Sequence, residues 1–485
     1  MLNLTRADLF REAAYVGGEW SSGTGDAWHE VNNPADGTLI GRVPKLTRAD
    51  VDAAIDAADT AFAEYRQWTG KARGAVLLRW AALMQQHKAD LALIMTSEQG
   101  KPLAEAMGEI DYASSFLEWF GEEAKRVYGD TIPAPRGSQR ITVIRQPVGV
   151  CAAITPWNFP SGMVTRKVSP ALAAGCAVVL KPAPQTPFSA LALCVLAEEA
   201  GLPKGVLSVV TGDAIEIGAA LIESEMVRKL SFTGSTAVGK KLMAACAATV
   251  KKVSLELGGN APFIVFDDAS IEQAVQGAIA SKFRNAGQTC VCANRFFVQA
   301  GVHDAFVERL TQAVLGMRMG RGTDEGVTLG PLIDSAAIGK VERLVADARS
   351  KGADVRTGGA RHPAGDSFYA PTVITGVTDS MSITHEEIFG PVVSVTRFTD
   401  EAEAIALANA TRYGLAAYFY TADLNRSIRV AEALDFGIVG INEGAISTEV
   451  APFGGMKESG FGKEGSRYGI DEYSERKYVC VGNVG

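Results

Sequence analysis

Apolar and polar positions divide this chain into stretches of different period. Residues 15–45 alternate short apolar runs with Gly17-Gly18, Asn32-Asn33-Pro34 and Asp36-Gly37, which predicts hairpin strands. Thr47-Arg48-Ala49-Asp50 is a capping-box start, and Val51, Ala54, Ile55, Ala58 and Phe62 follow at helical spacing. Two long helices are expected next, over 71–98 and 102–125, the first stopped by Gly100. Residues 127–146 turn β-prone around Pro133 and Pro135, and Ile141-Thr142-Val143-Ile144 reads as an arm leaving the body. From 148 to 257 apolar strands (148–154, 177–180, 206–210, 229–232, 253–257) alternate with helices (164–174, 188–200, 214–223, 236–247). That rhythm is an α/β fold with a parallel, doubly wound sheet. A second alternating series runs from Phe263-Ile264-Val265-Phe266 to about 440, and 473–484 is β-prone again, placed to pair with the arm.

Composition narrows this picture. At 485 residues the chain exceeds one core, so two or three domains are expected. Apolar residues make up 47% and charged ones 21%, as in ordinary globular proteins, while net charge −8 argues against nucleic-acid or anionic-membrane surfaces. No apolar run reaches the ~18 residues of a membrane span, and the first residues lack a signal-peptide core, so a cytoplasmic location is expected. Seven cysteines without framework spacing fit a reducing compartment, and five scattered histidines give no metal site.

The candidate chemistry gathers around one stretch. Ile271 to Phe283 reads as a partly buried helix through Val275, Ile279 and Phe283, ended by Asn285 and Gly287. The chain then turns through Gln288-Thr289 to Cys290, flanked by Arg284 and Arg295, whose charge is expected to lower the thiol pKa and make it nucleophilic. The strand Cys151-Ala152-Ala153-Ile154 ends at Thr155-Pro156-Trp157-Asn158-Phe159-Pro160, where open α/β sheets bind ligands, and the Asn158 amide can stabilise an oxyanion. Lys181 ends the next strand. Ser231-Phe232-Thr233-Gly234-Ser235-Thr236-Ala237-Val238-Gly239-Lys240 reads as strand, turn and helix start, with free N–H groups suited to a pyrophosphate. Gly234 to Lys241 nearly spells a P-loop, but Lys241 replaces the magnesium-binding Ser/Thr, which excludes nucleotide hydrolysis; no G-x-G-x-x-G is present either. Glu256 lies between Leu255 and Leu257, where burial raises a carboxyl pKa toward that of a general base working near neutrality.

Together these runs resemble the NAD(P)-dependent aldehyde dehydrogenase superfamily over nearly the whole chain. The specific pieces are Thr155–Pro160, Leu255–Gly259, the segment around Cys290, and Glu387-Ile388-Phe389-Gly390-Pro391. The chain looks closest to the succinate-semialdehyde branch, through Lys282–Arg295 and Glu449-Val450-Ala451-Pro452-Phe453-Gly454-Gly455. The resemblance implies two doubly wound parallel-sheet domains, a Rossmann-like cofactor domain (1–126 and 147–257, with 456–472 returning) and a catalytic domain (258–455). A β oligomerisation arm (127–146 and 473–485) would assemble a homodimer or homotetramer. It implies that the Cys290 thiolate attacks the aldehyde and that Asn158 and the Cys290 N–H hold the oxyanion. Hydride then leaves to NAD or NADP, and Glu256 activates water on the thioester. Cofactor contacts would come from Thr155, Pro156, Trp157, Lys181, Ala183, Pro184, Gly234, Ser235, Gly239, Leu257, Glu387 and Phe389. Arg166, Arg284 and Ser447 match positions that clasp the substrate carboxylate, so the expected substrate is succinate semialdehyde.

Departures from the family pattern keep some questions open. Pro184 stands where many NAD-preferring relatives carry Glu, so use of both NADP and NAD is expected. Glu443 and Ala445 leave glutarate semialdehyde, 2-oxoglutarate semialdehyde and sulfolactaldehyde as alternatives. A Cys-His hydrolase is disfavoured because no histidine has a place beside Cys290. A CoA-acylating enzyme is disfavoured by Glu256, and a non-catalytic binding protein on this scaffold by intact Cys290, Glu256 and Asn158. Cys292, two residues on, is a candidate resolving thiol for redox control on what reads as a flexible turn.

Overall fold

A computed structural model describes residues 2–484. Three sheets organise it. The first has eight strands in the order Glu19–Ser21, Ala14–Val16, Leu207–Val209, Ala177–Lys181, Val150–Ile154, Val227–Thr233, Lys252–Glu256, Gly460–Phe461. Its five central strands run parallel, and the flanking ones antiparallel. Period-two alternation sorts the side chains onto two faces. Cys151, Ala153, Val178 and Leu180 join a core with Trp80, Phe116 and Phe120, whereas Val150, Ala152, Ala177 and Val179 pack with Val51, Ile55 and Leu221. Both faces are covered by helices, which is why these strands are continuous apolar runs rather than alternating ones.

The second sheet has seven strands, Asp354–Thr357, Thr372–Thr375, Val392–Phe398, Ala293–Gln299, Ala261–Val265, Ala416–Tyr420 and Ile438–Ile441. All are parallel except the first. In the third sheet Arg140–Pro147 pairs antiparallel with Ser474–Val481 on one side and Asp130–Ile132 on the other. Ile132, Ile144, Tyr478 and Val481 are exposed on it.

Local chemistry explains the element ends. The Thr47 hydroxyl accepts from the Asp50 N–H and the Asp50 carboxylate accepts from the Thr47 N–H, a complete capping box. Gly100 stops its helix at φ 93°. The helix expected over 71–98 is instead two, Gly70–Gln86 and Lys88–Gln99, broken at His87 (φ −106°, ψ 21°). Just past the break, Asp90 is turned onto the Thr5 and Arg6 N–H groups. Among the described residues no helix is long and apolar enough to cross a membrane, and no cluster of His, Cys, Asp and Glu could hold a metal.

Candidate active site

The helix Ile271–Lys282 is N-capped by Ser270 and ends just before the thiol. Asn285, Ala286 and Gly287 then take left-handed conformations (φ 51°, 52° and 78°) that swing the chain into the cleft between the two large sheets. Only glycine fits at 287, because a Cβ there would lie 2.2 Å from the Gly390 carbonyl oxygen. Asn285 tolerates its conformation because its side chain is bonded on both ends: Oδ1 accepts from Gln99, and Nδ2 donates to the Asn158 carbonyl at 2.9 Å.

Cys290 emerges half-buried at a cavity of about 360 Å³. Three parallel strands deliver its other wall at their carboxyl ends: Pro156, Trp157 and Asn158 after Val150–Ile154, Gly234 and Ser235 after Val227–Thr233, and Leu257 after Lys252–Glu256. Glu387 and Phe389, just ahead of the strand Val392–Phe398, add to the lining, as does Lys340 from the helix Ser335–Ser350. Phe389 is held at φ 56° and meets Trp157 edge-on, ring centroids 5.6 Å apart. Glu387 accepts from the Gly259 N–H at 3.0 Å; burial pushes its carboxyl up to about 7, against the pull of Lys340 and Lys282. Lys340 gave no signal in the sequence, since its helix has no motif around it.

The electrostatics overturn one expectation. Burial pushes the Cys290 thiol up to about 12, with Glu387 and Glu256 adding to the rise while Arg166 and Arg284 oppose it. Nearby positive charge therefore exists, but desolvation outweighs it, and the free protein holds a thiol rather than a thiolate. Asn158 is fixed from behind, its backbone carbonyl accepting from Lys101 Nζ at 2.8 Å. Its Nδ2 donates to the Gln288 carbonyl at 3.0 Å, which leaves one amide hydrogen.

Glu256 is 2% exposed and neither of its carboxylate oxygens has a hydrogen-bond partner. Burial first, and then Glu464, raises its pKa well above the usual carboxyl range. Glu464 itself is pulled below its usual value, against burial, by Lys167 and Arg166, each 2.6 Å away. The tail segment carrying Glu464 was silent in the sequence because its partners lie on the distant helix Gly162–Ala174.

The remaining sites fall into two groups. Lys181 is buried, donates to the Pro182 carbonyl at 3.1 Å, and is pushed down to about 8 by burial. Ala183 and Thr155 are buried beside it and Pro184 is half-buried, all behind the cavity rather than lining it. Gly239 lets its helix press onto Leu257, where a Cβ would sit 2.4 Å away. Arg166 is caged by Phe453 and Phe116, its guanidinium carbon 3.9 and 5.9 Å from their ring centroids. Arg284 lies 4.8 Å over Phe159. Ser447 is half-buried and makes no hydrogen bond among the described residues. Cys292 departs from the flexible turn expected for it: it is 1% exposed, its thiol donates to the Lys282 carbonyl at 3.3 Å, and Tyr418 pins Val291 by a 2.7 Å hydrogen bond.

A half-buried thiol, an amide donor, a buried carboxyl without hydrogen-bond partners among the described residues and a helix N-terminus thus gather where three parallel strands end. The sequence profile of the aldehyde dehydrogenase family matches residues 20–479. The chain belongs to that family. It is 59% identical to a glutarate-semialdehyde dehydrogenase of Pseudomonas aeruginosa over 483 residues, all of both chains. It is 58% identical to an NADP(+) succinate-semialdehyde dehydrogenase of Escherichia coli, across 99% of this chain and 100% of that one. A 3-sulfolactaldehyde dehydrogenase of Pseudomonas putida is 56% identical over the full length of both. The crystal structure of an Escherichia coli NADP-dependent enzyme superposes with a TM-score of 0.98 at 58% identity, covering 99% of this chain and 100% of that chain. The molecule is an NAD(P)-dependent aldehyde dehydrogenase with the doubly wound α/β architecture of that family.

Proposed function

We propose that this enzyme oxidises succinate semialdehyde to succinate, using NADP+ and NAD+, as a cytoplasmic homo-oligomer. The observation that carries the substrate is the pair of arginines whose charges reach the Cys290 thiol, Arg166 and Arg284, the second without a carboxylate partner among the described residues. A desolvated anionic tail requires such partners, whereas a neutral aldehyde would leave Arg284 without a carboxylate. The two semialdehyde dehydrogenase relatives support the same reading. Glutarate semialdehyde is the second reading, favoured by the 59% relative and by the small, exposed Ala445.

The residues fit a dinucleotide. Ser235 caps the eleven-residue helix Thr236–Cys246 and lines the cavity with Gly234, which puts that helix's N-terminus at the cavity wall. Lys181 would reach the adenosine ribose and Glu387 the nicotinamide ribose, with Phe389 packed against the ring. The bound cofactor supplies the hydride acceptor. Around it, the Cys290 thiol would pass its proton to water and add as thiolate to the carbonyl carbon, and the Cys290 N–H and the free Asn158 amide hydrogen would receive the oxyanion. Removing one such donor typically costs ~10²–10³ in rate. After oxidation Glu256 takes a proton from the water that cleaves the thioester. Pro184, which places no carboxylate near a 2′-phosphate, supports use of NADP+, as does the NADP(+) of the Escherichia coli relative.

Sheet membership supports the division into a cofactor-binding domain (1–126, 147–257 and 456–472), a catalytic domain (258–455) and an arm (127–146 and 473–485). A steady-state panel of ω-carboxylated and neutral aldehydes, each with NAD+ and NADP+, tests the reading. It fails if butanal is turned over as efficiently as the semialdehydes.

A further inference from the structure

Tyr112 lies midway along the helix Leu103–Glu123, on the face packed against Gly162–Ala174. Gly162 lets the ring in: a Cβ there would stand 3.2 Å from the tyrosine Cδ1. The ring meets Phe116 edge-on at 5.0 Å, and Phe116 in turn forms one wall of the Arg166 cage. Its hydroxyl is buried and has no hydrogen-bond partner. Phe116 thus stands between the tyrosine ring and the Arg166 guanidinium's cage, and the charges of Arg166 and Arg284 are felt at the hydroxyl.

Buried hydroxyls without partners are uncommon in folded proteins. This one has company. Arg166 Nε and Nη2 also lack hydrogen-bond partners, although Nη2 stands 2.6 Å from Glu464 Oε2 as an ion pair. Arg284 has no ion pair among the described residues. Tyr112 Oη and Arg166 Nε thus have no acceptor and Arg284 no carboxylate among the described residues, and a terminal oxyanion with several lone pairs could serve all three.

We propose that the Tyr112 hydroxyl donates a hydrogen bond to the oxyanion at the tail of the substrate, as the third donor beside Arg166 and Arg284. Tyr112 thereby helps set the preference for anionic over neutral aldehydes. This rests on the semialdehyde reading above. Tyr112→Phe keeps the ring and removes only the donor, so the packing against Phe116 and Gly162 survives. With saturating NADP+, kcat/KM for succinate semialdehyde should fall about 10- to 100-fold, as expected for a hydrogen bond to a charged group. Turnover of butanal should change less than about 2-fold, and succinate as a product inhibitor should weaken in parallel with the semialdehyde. Equal losses on both aldehydes, or an undiminished kcat/KM for succinate semialdehyde, would overturn the assignment. A wild-type enzyme that itself shows no preference for succinate semialdehyde over butanal would instead overturn the underlying substrate reading, and the role of Tyr112 with it.

Discussion

Replacing Arg284 by alanine separates substrate recognition from everything else in this site. The side chain is half-buried, its guanidinium carbon lies 4.8 Å over the Phe159 ring centroid, and it forms no ion pair among the described residues. Truncating one partner of a buried anion contact costs ~2–5 kcal/mol. Partial exposure favours the lower end, and ~2 kcal/mol corresponds to about 30-fold in kcat/KM for succinate semialdehyde. Arg166 would seem the equivalent test, yet its surroundings make it a poorer one. It is 2% exposed, ion-paired to Glu464, and also pulls the Glu256 carboxyl downward. Arg166→Ala therefore removes a contact to the tail and at the same time raises the pKa of the base that cleaves the thioester. Its losses should fall on neutral aldehydes too. The assay is steady-state turnover of succinate semialdehyde and butanal by both variants. Arg284→Ala should discriminate between them by about 30-fold. An Arg284→Ala enzyme that loses butanal turnover equally would refute the reasoning and assign this arginine to the fold.

Three further outcomes are expected. Pro184→Glu should weaken NADP+ selectively, since a carboxylate ~4 Å from a 2′-phosphate costs on the order of 4 kcal/mol at an effective dielectric near 20; equal losses with NAD+ would exclude this geometry. Because burial holds the Cys290 thiol up at about 12, only the deprotonated fraction reacts. Iodoacetamide labelling of the cofactor-free enzyme should then climb about tenfold per pH unit from roughly pH 6 to 9, and a plateau near neutrality would contradict it. The exposed Ile132, Ile144, Tyr478 and Val481 on the arm sheet predict a dimer or dimer of dimers by light scattering, and a fully active monomer would rule that out.

How much of this could be read from the chain depends on how local each signal was. Strands buried on both faces announce themselves as apolar runs, so all five parallel strands of the first sheet fall within about two residues of expectation. Asn158, Lys181, Gly234 and Glu256 sit where those strands end, and the position alone marked them. The capping box at Thr47 and the left-handed stop at Gly100 were equally local. His87 was not, because its helix break depends on Asp90 reaching a segment more than eighty residues earlier.

The site's energetics were the least legible part, and for one physical reason. A pKa depends on the balance of burial and charge in three dimensions, and sequence neighbours report only the charge. Arg284 and Arg295 flank Cys290 and suggested a lowered thiol, but Arg295 spends its guanidinium on the Asn260, Leu407 and Ala408 carbonyls. Arg284 does oppose burial, but the larger opposing charge is Arg166, brought in by a different helix. Glu256 shows the converse. Its apolar neighbours Leu255 and Leu257 correctly implied a raised carboxyl, yet the second contribution comes from Glu464, far along the chain. Arg166 and Lys167 lower both carboxyls, so whatever engages Arg166 bears on the protonation of Glu256 as well as Glu464. An anionic tail at that guanidinium, as proposed, would draw on the same charge that steadies Glu464, and would link substrate recognition to the readiness of the proposed base through a single side chain.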